Sequence, residues 1–265
     1  VYFCPYRRRE VIAPPRRVVR RIYAPDDGLR RLLRMRNRDW LQELALELVH
    51  LLSSESNVPI SDFGVHGSIA LGMHTSNSDI DLVVYGAKNF RRVEWAVSRL
   101  VEDGLLTYVF KRRFDQVRRN RGRFKGRLFS YGAVRKPEEI RHEYGEYRFQ
   151  PIQPVQFTCQ VTDDSEAMFR PAIYRISNFH PLNASSNLPG EMTPVRVVSM
   201  IGLYRNVARR GEWVEVSGVL ERVEAVDGRE TFFQVVVGTG YHGGEYVRPV
   251  KVGAWAGERH DPVEA

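Results

Sequence analysis

The sequence predicts an α/β (α+β) fold in which helices pack on a mixed sheet, followed by a second, β-rich domain of small-barrel type. Three observations predict this fold. Apolar residues recur at helical spacing in the first half of the chain, apolar strand-like runs alternate with those helices, and the second half consists of short β-branched and aromatic runs. With 265 residues, 43% of them hydrophobic, the chain can bury one large core or two modest ones. We therefore expect two domains at most.

Two helices open the predicted α/β domain. Asp26 or Asp27 can cap the first helix, whose leucines recur at helical spacing. A second helix is predicted over residues 39–52, where large apolar side chains fall along one broad face. Farther along the chain, the pattern predicts alternating strands and helices. These elements are a strand near 62–66, a turn at Gly67-Ser68, a short helix near 69–73, a polar turn over 75–78, a strand over 80–85, and a helix capped by Asn89 and ended by Gly104.

The chain becomes rich in strand signals after residue 150. A strand over 128–134 and a short helix over 137–144 precede this region, whose runs are separated by Gly, Pro, Asn and Asp. The predicted strands cover 155–161, 172–176, 195–201, 213–226 and 232–237, with Asp227-Gly228 as a hairpin turn. Residues 213–223 alternate as a half-buried strand does, which is compatible with a small barrel of the OB type. Such a domain could serve substrate recognition or oligomerisation.

The basic residues are concentrated in two segments. The formal net charge is +8, yet residues 1–38 hold twelve arginines against three acidic residues, and residues 111–127 hold nine basic residues against one. The remainder is therefore acidic. Concentrated positive charge favours contact with a polyanion such as RNA, DNA or a nucleoside triphosphate, although a solvated arginine-rich surface explains it equally well. Four prolines among the arginines predict that residues 1–25 form an extended basic arm.

Cysteine usage and hydropathy indicate where such a chain functions. Cys4 and Cys159 are too few and too far apart in sequence for a disulfide framework or a thiolate metal cluster. No apolar run approaches the roughly 20 residues that cross a bilayer, and the N-terminal segment lacks the order of a signal peptide. We therefore expect a cytoplasmic protein with no membrane partner.

Paired carboxylates stand at the start of the apolar run 80–85. Asp79 and Asp81 are two residues apart on a predicted strand, so both side chains leave the same face of the sheet. Carboxylates this close repel each other unless a cation lies between them. Mg²⁺ suits that position, because it takes one or two carboxylates and completes its octahedron with waters and substrate phosphates.

A glycine-rich turn precedes the carboxylates. Gly67-Ser68 opens a short helix after a strand, which directs backbone N–H groups and a hydroxyl towards an anion, and Gly72 permits close approach of backbone. Together the turn and the carboxylates would hold a nucleoside triphosphate for in-line attack by a hydroxyl. His66 and His74 flank the turn, and histidines in such places usually only form hydrogen bonds.

The order of these residues resembles the signature of the DNA polymerase β-like nucleotidyltransferase superfamily. The signature is carried by Gly67, Ser68, Gly72, Ser78, Asp79 and Asp81. The resemblance covers roughly residues 60–105, and the whole chain more loosely resembles archaeal predicted nucleotidyltransferases. It implies a nucleotidyltransferase-type mixed sheet, binding of the β- or γ-phosphate by Ser68 and the Gly67 amide, and two Mg²⁺ ions on Asp79 and Asp81.

The resemblance also implies a third carboxylate on a later strand, and here the sequence departs from the family. Neither candidate strand, 128–134 or 155–161, contains an acidic residue. Asp163 and Asp164 lie just beyond the second, while Glu143 and Glu146 precede it. Asp163 is the candidate that we choose as the third catalytic carboxylate.

These inferences predict three segments and one function. The segments are the arm at 1–25, a nucleotidyltransferase domain at 26–150 and a β-rich domain at 151–265. The function is Mg²⁺-dependent transfer of an NMP from an NTP to a hydroxyl of an RNA end or a protein, with RNA contacts through 1–38 and 111–127. The alternatives are a nucleic-acid-binding protein on a catalytically degenerate transferase fold, and a transferase that adenylylates a partner protein.

Overall fold

The computed structural model describes residues 1–111, 114–240 and 243–250. The chain divides into two compact units. The mixed unit spans residues 15–141, and the β unit combines residues 1–14 with the chain from residue 142 onward. No helix in the described part of the chain is long and apolar enough to span a bilayer.

The N-terminal residues form a short hairpin. Strands β1 (Tyr2–Cys4) and β2 (Arg9–Val11) pair antiparallel, and the Phe149 amide donates a hydrogen bond to the Tyr6 carbonyl. Backbone pairing therefore places residues 1–14 in the β unit, and the mixed unit begins at Pro15. The boundary between the units falls at residues 141 and 142, whereas the sequence predicts it at residue 150.

The mixed unit alternates helices and strands largely as predicted. Its elements are α1 (Pro25–Arg34), α2 (Trp40–Ser56), β3 (Phe63–His66), α3 (Gly67–Leu71), β4 (Ile80–Tyr85), α4 (Ala87–Glu102), β5 (Leu106–Tyr108), α5 (Asp115–Arg118), β6 (Arg121–Phe124) and β7 (Arg127–Val134). Short 3-10 turns occur at Arg16–Val18, Ile60–Asp62 and Pro137–Glu139. The last of these replaces the predicted helix over 137–144.

A five-stranded mixed sheet forms the centre of this unit. The strand order is β3-β4-β7-β6-β5, in which β4 and β7 run parallel and the other neighbours run antiparallel. One face of the sheet is apolar and fully buried, and on it Phe90 of α4 packs against Tyr131 of β7 with ring centroids 5.6 Å apart. On the other face α1 lies close to β3, since a Cβ at Gly64 would be 2.7 Å from Pro25.

Local capping explains where the helices begin. Asp39 accepts hydrogen bonds from the amides of Leu41 and Gln42, and the Asp39 amide donates one to Oε1 of Gln42. This capping box confirms the predicted start of α2. The predicted caps of α1 and α4 are wrong. Helix α1 begins with a proline and carries its aspartates in the first turn, and α4 begins after Gly86.

The β unit contains the predicted strands with revised ends. They are β8 (Tyr147–Glu166), β9 (Ala172–Pro181), β10 (Arg196–Ser199), β11 (Trp213–Ala225), β12 (Thr231–Val237) and β13 (Tyr246–Pro249), with 3-10 turns at Ala184–Ser186, Gly190–Met192 and Gly202–Tyr204. The sheet order is β12-β10-β9-β8-β11-β13 with an additional β11–β12 pairing. Only β10 and β12 pair in parallel within this described sheet. Phe157, Tyr174 and Val197 lie fully buried in its core.

The β-rich character of this region is confirmed, but the sheet is not the simple closed barrel that the sequence predicts. The reason is the length of β11. Its residues 214–217 pair with β13, and its residues 219–224 pair with β12. Strand pairing therefore closes a ring only along residues 219–224 of β11, and this ring consists of β8, β9, β10, β12 and β11. At residues 214–217, β11 pairs with β13 instead, and β13 is an edge strand of the sheet.

Candidate active site

Asp79 and Asp81 lie where β4 begins. Ile80 between them is fully buried, whereas both aspartates are half-buried. This alternation is what a strand produces when its odd and even side chains leave opposite faces. In the described part of the chain, the Asp79 side chain has no hydrogen bond and no ion pair, so its carboxylate is available to a ligand.

The Asp81 carboxylate is held by two neighbours. Ser130 of β7 donates a hydrogen bond from Oγ to Oδ1 of Asp81 over 2.8 Å. Gly67 lies against the other oxygen, because a Cβ built on Gly67 would be 2.5 Å from Oδ2 of Asp81. A side chain at residue 67 would therefore displace the carboxylate.

The Gly67-Ser68 turn meets Asp81 from the β3 side of the sheet. Gly67 adopts φ +66°, a left-handed conformation that other residues adopt only with strain. The Ser68 hydroxyl is half-buried and makes no hydrogen bond to the described residues. Gly72 ends α3 with φ +66°, and no atom lies within 4 Å of the position that its Cβ would take. The protein itself therefore makes no close backbone approach at Gly72, and the space beside it is open.

The turn before Asp79 is closed by its own polar groups. The Thr75 amide donates to Oγ of Ser78 over 3.0 Å, and the Ser78 amide donates to the Thr75 carbonyl over 3.1 Å. The hydroxyl of Ser78 is thus used within the turn. Arg127 approaches the Ser78 carbonyl at 3.5 Å.

His74, in the loop between α3 and β4, contacts Asp39 at the start of α2. Its Nε2 lies 2.7 Å from Oδ2 of Asp39, while its buried Nδ1 has no hydrogen-bond partner in the described structure. Burial alone would raise the pKa of Asp39, but hydrogen bonds from His74 and from the amides of Gln42 and Leu41 outweigh it and hold that pKa below its ordinary value. The contact confirms that His74 forms a hydrogen bond.

Four polar residues form a row across the sheet. His66 is opposite Asp81 in the β3–β4 pair, Asp81 is opposite Ser130 in the β4–β7 pair, and Ser130 is opposite Arg121 in the β6–β7 pair. Residues directly opposite each other on neighbouring strands share a face of the sheet. The row therefore places a cationic side chain two strands away from Asp81.

Asp163 belongs to the β unit. It lies on β8, where Oδ1 accepts a hydrogen bond from the Ser165 amide over 2.8 Å and Oδ2 lies 3.9 Å from Nε of Arg175. Burial raises its pKa, but Ser165, Arg175 and Arg210 together lower it below the ordinary value. Its role as a third catalytic carboxylate stays a prediction.

The two basic segments are distributed over several elements of the fold. Residues 1–38 are divided between the two units at Pro14 and Pro15. Residues 111–127 contribute α5 and β6 to the mixed unit, while Arg112 and Arg113 lie outside the described residues. RNA contact by these segments stays a prediction.

The donor set of the site fits one divalent cation. Two carboxylates, one of them without a protein partner, match the one or two that Mg²⁺ takes from a protein. Over residues 1–111, 114–240 and 243–250, no group of three or more His, Cys, Asp and Glu side chains is arranged to hold a metal ion. A second ion would therefore need a further donor.

Sequence reasoning missed Ser130 and Arg121. Ser130 is a polar residue in the alternating apolar run over 127–134, and that interruption is the signal that could have drawn attention to it. Arg121 was included in a basic segment, but its register opposite Ser130 depends on strand pairing.

Comparisons with known proteins match the region that contains Gly67, Asp79 and Asp81. Residues 41–126 match the model of a family described as the nucleotidyltransferase domain. An uncharacterized protein of Methanocaldococcus jannaschii is 27% identical over 210 residues, which cover 71% of this chain and 58% of that protein. The chain thus corresponds to less than two thirds of the length of this curated relative. No solved structure matches the chain.

Proposed function

We propose that this chain, whose residues 41–126 match the model of the nucleotidyltransferase domain family, transfers an NMP group from an NTP to a hydroxyl acceptor. The observation that carries the proposal is the position of the Asp81 carboxylate under Gly67, next to the unpartnered Asp79. That arrangement joins a candidate cation site to a candidate phosphate site. Nucleotidyl transfer needs both, since its charge develops on phosphoryl oxygens.

Asp79 and Asp81 are the proposed cation ligands, and Mg²⁺ is the ion that best suits two carboxylates and a triphosphate. When bound, this ion supplies charge neutralisation for the phosphates and for the leaving pyrophosphate. The donor set accounts for one ion. The third catalytic carboxylate of a two-metal mechanism stays a prediction, with Asp163 as its candidate.

Ser130 is the proposed positioning residue for Asp81. Its hydroxyl donates to Oδ1 over 2.8 Å, which leaves Oδ2 free to face a ligand beside Gly67. A hydrogen bond to a metal-binding carboxylate fixes the orientation of that ligand. Ser130 thus keeps Asp81 in one rotamer before substrate arrives.

The turn at residues 67–68 is the proposed phosphate site. The free Ser68 hydroxyl and the Gly67 amide can donate to the β- or γ-phosphate, while the open space beside Gly72 leaves room for the nucleotide. Ser78 supports the site by closing the turn before Asp79. In the reaction the acceptor oxygen bonds to the α-phosphorus, the bond from that phosphorus to the bridging oxygen breaks, pyrophosphate leaves and the hydroxyl proton passes to solvent.

One observation favours a second candidate function. A serine, not a carboxylate, stands beside Asp81 on β7, which is a strand that the family resemblance indicates for the third acid. A nucleic-acid-binding protein on a catalytically degenerate transferase fold would have this composition. Such a protein would bind RNA without turnover.

The test is transfer of label from each of the four α-labelled NTPs, with Mg²⁺, to tRNA, short RNA and proteins of a cell extract. We expect wild-type protein to label one acceptor class and Asp79→Asn/Asp81→Asn to lose the label completely. The matched control, Glu102→Gln/Asp103→Asn, removes two exposed carboxylates at the end of α4 and keeps transfer. Equal transfer by the double aspartate variant contradicts the proposal, and RNA binding with no transfer by wild-type protein supports the second candidate.

A further inference from the structure

We propose that the acceptor is a single-stranded nucleic acid whose phosphates are bound by Arg121 and Arg123 of β6. This inference rests on the proposed nucleotidyl transfer and names the substrate class of the same site. It is carried by the register of the sheet, by the engagement of the other basic residues nearby, and by the side of Asp81 on which the arginines lie.

The register places the arginines within reach of the carboxylates. Arg121 is opposite Ser130, and Ser130 is opposite Asp81. Neighbouring strands are about 4.8 Å apart, so the backbones of Arg121 and Asp81 are roughly 10 Å apart. An arginine side chain of ordinary length spans much of that distance, so a ligand held at Asp81 can also contact Arg121.

Both arginines leave the sheet on the face of Asp81. Along β6 the residues that alternate with them, Gly122 and Phe124, are buried against the core face. Arg121 is half-buried and Arg123 is exposed, as is Thr107, which is opposite Arg123 on β5. The two arginine side chains therefore lie next to each other along β6, on the face of the sheet that carries Asp81.

Both arginines also have binding capacity left. Arg121 makes no hydrogen bond or ion pair with the described residues, and Arg123 uses one nitrogen to donate to the Gly126 carbonyl over 2.8 Å. Other basic residues of the segment are engaged. Lys125 pairs with Glu47, Arg119 lies 5.7 Å from the Tyr108 ring centroid, and Arg127 lies 4.8 Å from that of Trp40.

The position of the arginines assigns them to the acceptor and not to the NTP. The Gly67-Ser68 turn continues from β3, which flanks β4 on one side, whereas β7 and β6 lie on the other side. A triphosphate on the turn therefore leaves the β7 side for the attacking hydroxyl. Arginine binds phosphate through paired N–H donors. Two arginines next to the acceptor position thus fit a strand of nucleic acid better than a protein hydroxyl, which brings no phosphate.

The chemistry follows from this assignment. The terminal hydroxyl of the strand bonds to the α-phosphorus of the NTP, the bond to the bridging oxygen breaks, and pyrophosphate departs with the electron pair. The hydroxyl proton is released to solvent. The strand grows by one nucleotide, and its preceding phosphates remain on Arg121 and Arg123.

The experiment measures binding of a fluorescent single-stranded RNA with a free terminal hydroxyl to the full chain by anisotropy, without NTP, at several salt concentrations. We expect Arg121→Gln/Arg123→Gln to bind at least about tenfold more weakly, and its log–log salt slope to be smaller by about 1.4, since each phosphate contact on a single strand contributes about 0.7. The matched control, Arg92→Gln/Arg99→Gln, removes two exposed charges from α4, which packs on the opposite face of the sheet. Its affinity should stay within about twofold of wild type.

Three results of the binding measurements overturn the inference. They are unchanged RNA binding by the Arg121/Arg123 variant, an equal loss in the α4 control, and a matching loss of NTP affinity, which would assign the arginines to the triphosphate. Asp79→Asn/Asp81→Asn separates this inference from the proposed function, because we expect it to bind RNA normally and to transfer nothing. Transfer to a protein with no effect of the arginine substitutions refutes the acceptor class alone. RNA binding through the arginines without any transfer refutes the nucleotidyl transfer on which it rests.

Discussion

Replacing Gly67 by alanine changes two things at once at the candidate active site. The residue has φ +66°, so any side chain adds backbone strain. Its new Cβ would also be 2.5 Å from Oδ2 of Asp81, where ordinary van der Waals contact begins at 3.4 Å. The Asp81 carboxylate must therefore move away from the position in which Ser130 holds it.

The two effects have different sizes and different readouts. A non-glycine residue in the left-handed region costs about 1–2 kcal/mol, which lowers the free energy of unfolding. Mg²⁺ demands near-ideal octahedral geometry, so moving the carboxylate costs cation affinity. We expect Gly67→Ala to bind the cation at least tenfold more weakly, which corresponds to about 1.4 kcal/mol of binding free energy.

Gly72→Ala is the matched control. Gly72 has the same φ of +66°, but nothing lies within 4 Å of its Cβ position. Both variants should therefore lose similar stability in urea unfolding. Only Gly67→Ala should lose affinity in a titration with Mn²⁺ followed by electron paramagnetic resonance. Equal Mn²⁺ affinity in the two variants would refute the reasoning, because the close approach of Gly67 to Asp81 would then have no bearing on cation binding.

Three further predictions concern Ser130, Glu221 and Cys159. Ser130→Ala should reduce cation affinity by about 10–100-fold, because it removes a hydrogen bond that supports a cation ligand. Ser130→Asp should raise that affinity, because it adds a carboxylate beside Asp81. A Mn²⁺ titration that ranks the two variants in any other order would contradict this role of Ser130. The pKa of Glu221 is raised, because burial outweighs the opposing effects of Gln234, Arg9, Arg7 and Arg196. The contribution of Glu221 to the free energy of unfolding therefore decreases as the pH rises above the ordinary carboxyl pKa. The free energy of unfolding, measured in urea at acidic and at neutral pH, should therefore lose this decrease in Glu221→Gln. An unchanged pH dependence would show that Glu221 is ionised at little cost. Burial raises the pKa of Cys159 to about 12, so in a Cys4→Ser background its thiol should react with Ellman's reagent only after unfolding, and fast reaction of the native protein would contradict the buried position.

The part of the site that the sequence predicts is the part that is local in the chain. Gly67, Ser68, Asp79 and Asp81 lie within one stretch whose turn residues and apolar run specify strand, turn, helix and strand. The start of α2, which the sequence predicts at residue 39, is likewise stabilised by a capping box that lies within four residues. Short-range signals of this kind survive folding because backbone hydrogen bonds within a few residues satisfy them.

The remainder depends on pairing between distant residues. Ser130 is 49 residues from Asp81, and only the parallel register of β4 and β7 joins them. The hairpin of residues 2–4 and 9–11 has the extended backbone that the prolines and arginines predict, but its place in the β unit is set by a contact at Phe149. The prediction of a closed barrel was wrong because β11 is long enough to pair with β12 and β13 in succession. Register and strand length are properties of the whole sheet, so a local pattern specifies them weakly.

We propose above all that Asp79 and Asp81 jointly hold a divalent cation beneath the Gly67-Ser68 turn. The most direct measurement is the anomalous diffraction of crystals of the full chain soaked with Mn²⁺ and a non-hydrolysable NTP analogue. We expect a peak within about 2.0–2.3 Å of an oxygen from each aspartate, with the triphosphate beside Ser68. A nucleotide bound elsewhere, or a Mn²⁺ peak that contacts neither aspartate, would contradict it.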